Sequence, residues 1–433
     1  MAHIIPFRAL RYNPERVEVG KAVTQPYDKI SPQMQANYYE SSPYNLVRII
    51  LGLPKSGDHD QNNVYTRAAD AFRSWRKDNV LRLDTEPALY VYRQQFTVPG
   101  TDKVAERHGF IAAGKLEDYA AGIVHRHEQT LAKPKADRLN LLRSTRAHFG
   151  QLFMLYDDSG EVDSLLKREG APDIEVSDEY GVSHRVWRVS DPELVQAAQA
   201  KMEDKKLIIA DGHHRYETAL AYRNERRQDE TTGGPSQLAP YDFAMMTFVN
   251  MNSPGLVILP THRVVQGLSN FSPDDLKQKA KAYFDVEEVD PSIDAGRATG
   301  VLREAGRAGT ALLAIAKSRV FLIHKPRAYG EIFTGLSVRQ QLLDVVQVHR
   351  VLLETVLGLS EESIRNQQNL NYVRGADEAI DRVRSGGANV AFLMNPVRMS
   401  QVRDIAFGGE VLPQKSTDFY PKLLSGLTVY ALD

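Results

Sequence analysis

The sequence predicts an α/β protein of mixed α+β elements in two domains, and three observations carry that expectation. Short apolar runs of strand length alternate with helical patterns up to residue 211. A run with aromatic positions, Ala88 to Val98, and a second run, Gly109 to Leu116, flank the turn-forming PGTDKVAER and read as a hairpin. From about Phe271 the character changes, and the remainder reads as a second α/β domain. A chain of 433 residues exceeds one ordinary domain. The division is placed as 1–265 and 266–433.

In order, His3 to Leu10 is a strand with its exit at Pro6, and TQPYDKI follows as a turn fixed by Pro26. Ser31-Pro32 suits a helix start. Ser42 to Leu51 is an apolar run read as a strand, whereas Val64, Ala68, Phe72 and Trp75 recur at helical spacing. Gln151 to Tyr156 and Ser183 to Val189 are strands. Between them Val162 to Arg168 is a short helix, and Asp191-Pro192 opens another that runs to Met202.

Thr231 to Pro240, TTGGPSQLAP, is the clearest flexible connection, and Asp242 to Met251 and Leu256 to Leu259 resume as strands. In the second half, helices over Ser272 to Tyr283 and Ser292 to Ala305 precede a ribbon of Thr310 to Ala316 with Arg319 to His324. Ser337 to Leu357 reads as the longest helix, with His349 as a packing or a functional residue. Asn389 to Met394 is a strand, Pro396 to Ala406 a helix, and Leu427 to Ala431 a closing strand.

Composition narrows the chemistry. The formal net charge of -1 gives no overall pull toward nucleic acid or anionic membrane, so a basic site must be local. There is no cysteine, which removes disulfides, thiolate catalysis and thiolate metal sites. MAHIIPFRALRY lacks the apolar core of a signal peptide, and no run approaches a membrane span, so a cytoplasmic protein is expected.

The stretch KKLIIADGHHRYETAL, Lys205 to Leu220, is where chemistry concentrates. Leu207 to Ala210 reads as a buried strand, and Gly212 permits a sharp turn into a helix carrying Tyr216, Ala219, Leu220 and Tyr222. Asp211, His213, His214 and Arg215 then fall where first-turn amides and the helix dipole favour an anion, which makes a phosphate site.

A second constellation is VHRHEQTLAKPKADRLNLL, Val124 to Leu142. His125 and His127 share one side of an extended segment, Glu128 faces the other way, and Lys133, Lys135 and Arg138 supply local positive charge. A solvated basic face remains open as the alternative. His125, His127, His213 and His214 could hold a transition metal, although an H-x-H pair alone is weak evidence. A magnesium ion arriving with a nucleotide needs fewer donors, and Asp211, Asp28 and Glu128 are candidates. Thr261, His262 and Arg263 follow a strand end, so His262 and Arg263 fit an anion pocket or ordinary turn chemistry. In the tail LPQKSTDFYPKLLSGL, Lys415 and Lys422 could reach an anionic substrate, but the glycines of a P-loop are missing.

The segment IIADGHHRYETA, with PYDKI at 26 to 30, HEQT at 127 to 130, KADRL at 135 to 139, LPTHR at 259 to 263 and the tail, resembles the DUF1015 family of uncharacterised bacterial and archaeal proteins. The strand, glycine, His-Arg and helix also resemble the signature turn of the ParB/sulfiredoxin superfamily, which includes free-serine kinases. That resemblance implies a ParB/sulfiredoxin-like N-terminal part with insertions, and a nucleotide or phosphate at the turn. Sulfiredoxins carry cysteine where this chain has His213, which excludes peroxiredoxin repair by that route.

The expected function is a phosphotransferase that uses ATP or ADP with magnesium on a small hydroxylated metabolite, free serine or a related compound. Gly212, His213, His214, Arg215, Lys135, Arg138, His262 and Arg263 would hold phosphate or nucleotide, and Asp211 would bind magnesium or orient the attacking hydroxyl. Glu128 is offered as general base, with Asp211 and His214 beside it in catalysis. Asp28, His127 and Lys415 would contact substrate, although Asp28 also fits a capping aspartate. A phosphatase of a small phosphometabolite and a non-catalytic nucleotide sensor are the alternatives. No nucleic-acid partner is expected.

Overall fold

The computed structural model describes residues 2–128, 133–229, 238–327 and 330–433. The second half of HEQT, the side chain of Lys133 and most of the 231–240 connection lie outside the described residues. Contacts divide the chain into two units. The first comprises Met1–Arg126, Thr130–Val257 and Pro421–Asp433, and the second His127–Gln129 and Ile258–Tyr420. Among the described residues no helix is long and apolar enough to cross a membrane.

The first unit is built on a nine-stranded mixed sheet. Its strands are β1 (Ile4–Ile5), β2 (Leu89–Thr97), β3 (Val104–Lys115), β4 (Val124–His125), β5 (Leu152–Tyr156), β6 (Ile174–Ser177), β7 (Ser183–Val189), β8 (Leu207–Asp211) and β9 (Phe243–Asn250). They lie in the order β4-β8-β5-β9-β3-β2-β7-β6, with β1 against β3. The β2–β3 hairpin is antiparallel, as PGTDKVAER predicts, whereas β8 pairs parallel with β4 and antiparallel with β5.

Helices α1 (Val64–Lys77), α2 (Lys133–Thr145), α3 (Pro192–Met202) and α4 (His213–Asp229) accompany the sheet. Asn63 caps α1 by accepting the amides of Tyr65 and Thr66, and Asp191 caps α3 in the same way. The core gathers Met154, Tyr156, Ile209, Tyr216, Met246 and Phe248, each fully buried. Strand β9 has no exposed residue, because neighbours cover both of its faces, which is why Asp242 to Met251 reads as a continuous apolar run.

The second unit has a wholly antiparallel six-stranded sheet. It is formed by β10 (His262–Val265), β11 (Asp285–Val289), β12 (Ala311–Ala316), β13 (Val320–His324), β14 (Leu370–Val373) and β15 (Val390–Met394), in the order β11-β13-β12-β15-β10-β14. The Thr310 to His324 ribbon expected from the sequence is the β12–β13 pair.

Two segments differ from the sequence expectation. Ser42 to Leu51 is not a strand: the Asn45 side chain accepts the amide of Val47 at 2.9 Å and starts a helical turn over Val47–Ile50. Val47, Ile49 and Ile50 are all buried there, so the run lacks polar spacing for a packing reason and not because it is extended. Ser337 to Leu357 is not one helix. Leu343 is extended, with φ -87 and ψ 130, and separates a turn at Val338–Gln341 from a short turn that widens into a π-helix over Gln347–Val356. The wide register buries Gln347, Val348, His349, Val351, Leu352 and Leu353 together.

Candidate functional site

Strand β8 ends in an irregularity that leads into the turn. Its pairing with β5 shifts register between Ile209 and Asp211, a bulge that re-aims the last side chain of the strand. Gly212 follows with φ +95, a conformation that costs an L side chain. A methyl group at this position would also stand 3.0 Å from Leu152 and 3.1 Å from the Arg215 guanidinium. Glycine is therefore required twice.

Helix α4 begins at His213, and the Tyr216 amide donates to the Gly212 carbonyl at 2.9 Å. Tyr216 anchors this first turn. Its ring is fully buried, and its hydroxyl donates to the Glu117 carbonyl at 2.7 Å while accepting the Glu117 amide at 3.0 Å. His213 and His214 are half-buried on the same turn, and the His214 carbonyl accepts the Thr218 hydroxyl at 2.7 Å.

Asp211 is the electrostatic centre. Arg215 Nη2 donates to its Oδ2 at 2.7 Å, and Lys422 Nζ donates to its Oδ1 at 3.1 Å. Burial would raise this carboxyl, but Lys422, Arg215 and Lys29 together hold it well below the usual carboxylate range. Asp211 is thus a fixed anion among three cations, able to orient groups but a poor proton acceptor near neutral pH. The other branch of Arg215, Nη1, donates to the Gln151 carbonyl.

Lys422 itself is held by a buried polar layer of the first unit. Gln94 Nε2 donates to the Lys422 carbonyl at 2.8 Å, and Arg107 donates both to Gln94 Oε1 and to the Pro421 carbonyl. The Tyr92 hydroxyl accepts the Leu424 amide at 3.3 Å and meets His184 Nδ1 at 2.6 Å, while His184 Nε2 faces Asp178 at 3.2 Å. Arg107 is 1% exposed, and burial pushes its guanidinium down to about 10.

A magnesium ion bound directly by Asp211 does not fit these donors. Both carboxylate oxygens accept from cationic groups, and a third cation acts on them through Lys29. Among the described residues no group of three His, Asp or Glu is arranged to hold a metal.

The remaining candidates separate into two sets. In the first unit, Lys135 pairs with Glu217 of α4, and Arg138 donates to the Ile50 carbonyl at 2.7 Å with Tyr27 stacked on its guanidinium at 4.0 Å. Asp28 is exposed in a single helical turn, Tyr27–Lys29, and the helix that follows is capped by Ser31 instead. His125 lies in β4 beside Ile208, with Nε2 on the Gly122 carbonyl at 3.0 Å.

The second unit holds the others. His127 is fully buried, with Nε2 2.7 Å from the Thr417 hydroxyl, so the His-x-His pair divides between the two units. Glu128 Oε1 accepts the amide of Lys415 at 2.6 Å, and Lys415 adopts a left-handed φ of +55. His262 is buried, its Nδ1 accepting the Met394 amide at 3.3 Å. Arg263 is fully buried and donates to the Thr261 and Gln414 carbonyls and, at 3.2 Å, to His349. Burial lowers Arg263 to about 10 and His262 to about 4.

Lys29, Gln151, Glu217 and Arg107 are not among the candidates that the sequence offers. Lys29 lies in PYDKI and Glu217 in IIADGHHRYETA, but their roles, like those of Gln151 and Arg107, follow from three-dimensional pairing. Lys422 stood in the sequence only as one of two tail lysines, and the fold gives it the Asp211 contact while Lys415 lies in the other unit.

Among curated proteins, none matches this chain in sequence. Solved structures with similarity include a conserved hypothetical protein from Pyrococcus furiosus, at 13% identity over 69% of this chain and 87% of that one, with a TM-score of 0.34. A free serine kinase in complex with AMP follows at 14% identity, 70% and 89% coverage and a TM-score of 0.35. SbnI with a C-terminal truncation, from Staphylococcus aureus, has 9% identity, 73% and 85% coverage and a TM-score of 0.34. Over residues 4–346 the sequence matches the family described as "Protein of unknown function (DUF1015)", and the chain belongs to that family.

Proposed function

We propose that the turn after β8 binds the phosphates of a nucleotide, and that the protein transfers a phosphoryl group to a small hydroxylated metabolite. The observation that carries this reading is the geometry at Asp211 to Arg215. A left-handed glycine opens a long helix, and an arginine on its first turn is fixed on the carboxylate of Asp211, which Lys422 holds from the other side. Amides at a helix start and fixed cations stabilise charge that spreads over phosphoryl oxygens.

In the transfer, the acceptor oxygen forms its bond to the terminal phosphorus as the bridging phosphorus–oxygen bond of the nucleotide breaks. The nucleotide leaves one phosphate shorter, and the acceptor's proton passes to water. Asp211 orients and does not abstract, because its three cationic neighbours keep it ionised. Glu128 stands in the second unit with its carboxylate on the Lys415 amide, and the reading of the turn does not depend on it.

Incubation with ATP or ADP and a panel of hydroxylated metabolites that includes serine, followed by phosphorus NMR, tests the reading. A new phosphoester with stoichiometric loss of one nucleotide phosphate is expected. Release of inorganic phosphate from phosphometabolites without nucleotide would favour a phosphatase. Tight nucleotide binding with no turnover over hours would favour a sensor. Absence of binding by AMP, ADP and ATP alike would remove the nucleotide from the site.

A further inference from the structure

Beside the turn lies a cavity of about 70 Å³ within the first unit. Its walls are mainly apolar, with Leu141 and Leu142 from α2, Phe149 from the segment entering β5 and Leu152 from β5 itself. Arg215 is part of the lining, so one side chain belongs both to the phosphate turn and to the cavity. A methyl group on Gly150 would stand 3.3 Å from Arg215 Nη1 and 3.4 Å from the Ser425 hydroxyl, so glycine lets these two groups converge.

Three further polar groups line the same space. They are the Ser425 hydroxyl, on a residue only 3% exposed, the Tyr27 hydroxyl and the His148 ring. Burial lowers His148 to about 4, so its imidazole is neutral at physiological pH, and burial raises the Tyr27 phenol, which stays protonated. An apolar chamber with a few convergent donors and acceptors is the ordinary form of a small-molecule site.

Size and charge narrow the ligand. A cavity of about 150 Å³ is what admits a benzene ring, so this one suits a short aliphatic chain and not a nucleobase. Arg138, a second guanidinium in the lining, is paired with the half-exposed Asp137, its neighbour in sequence. The Asp137 side of this pair is open to solvent, so a ligand carboxylate can replace it on Arg138, whose guanidinium is only 10% exposed and stays held by the Ile50 carbonyl.

Resting on the phosphotransferase reading, we propose that this cavity is the acceptor subsite, and that the acceptor is a short-chain aliphatic hydroxy acid with a longer apolar body than serine. Its chain packs on Leu141, Leu142 and Phe149, its carboxylate faces Arg138, and its hydroxyl is presented between Ser425 and Arg215 at the turn.

The test uses the full chain, with 3-hydroxybutyrate, L-threonine, L-serine and adenosine as probes and ADP titrated separately. Calorimetry is expected to show 3-hydroxybutyrate or threonine binding at least tenfold more tightly than serine. Ser425→Ala should weaken that binding about tenfold without lowering the melting temperature, whereas a purely structural serine would give the reverse pattern. Leu141→Phe, which fills the chamber, should abolish acid binding while ADP still binds. The subsite is overturned if none of the acids binds, if serine binds as well as the longer acids, if adenosine alone binds and is lost in Leu141→Phe, or if Ser425→Ala destabilises the protein and leaves acid binding intact. Acid binding without ADP binding would uphold the cavity and sink the nucleotide reading; ADP binding without acid binding would do the opposite.

Discussion

Lys422 and Asp211 lie 211 positions apart in the chain and meet at 3.1 Å, completing a carboxylate that Arg215 holds from the other side. Lys422 is 9% exposed and Asp211 21%, so neither group is bathed in solvent and the pair is stronger than a surface contact. Asp211→Asn should destabilise the protein by about 1 to 3 kcal/mol, because Lys422 then keeps its burial and loses its counter-charge. A double-mutant cycle with Lys422→Met, read from urea midpoints, should return a coupling of about 1 kcal/mol or more. Additive effects would show that the two groups do not interact.

Arg215 donates to both Asp211 and the Gln151 carbonyl, which fixes its guanidinium before any ligand arrives. Arg215→Ala should weaken ADP binding by about 1.5 to 3 kcal/mol if the side chain makes a charge-assisted contact with phosphate. Isothermal titration measures this directly, and unchanged affinity would remove Arg215 from the site.

Gly212→Ala combines a left-handed backbone with close approaches to Leu152 and Arg215. A loss of about 1 to 3 kcal/mol is expected, together with weaker ADP binding because the guanidinium must shift. Gly122, also left-handed at φ +66 but with open space around its missing side chain, is the control and should cost less on conversion to alanine.

Burial lowers His262 and His148 to about 4, whereas an unfolded histidine titrates near about 6.5. Between these values the unfolded chain binds more protons than the folded one, so stability is full above about pH 6.5 and falls as the pH drops toward 4. For His262, 3% exposed, the slope is about 1.4 kcal/mol per pH unit within that window. His262→Gln keeps an acceptor for the Met394 amide and removes the titration. Urea melts from pH 7 to pH 4 should show a shallower loss for this variant, and identical profiles would contradict neutral burial of His262.

The fold is legible in the sequence where the physics is local. The apolar run Leu207 to Ala210, the glycine and the amphipathic segment after it encode strand, turn and helix within a few residues, and the structure forms all three. It is not legible where packing overrides pattern. The run through Val47 to Ile50 is apolar because it is buried, and periodicity cannot separate a short buried helix from a strand. The break at Leu343 likewise has no glycine or proline to announce it.

What the sequence determined by itself is the family, the mixed α/β class and the charged turn, since each is written in contiguous residues. Which cations neutralise Asp211, which hydroxyls open on the cavity beside it, and which of two tail lysines reaches the turn were decided only in the tertiary structure. Those contacts join segments hundreds of residues apart, and their geometry is set by how the sheet of the first unit packs the returning tail, for which no local pattern exists.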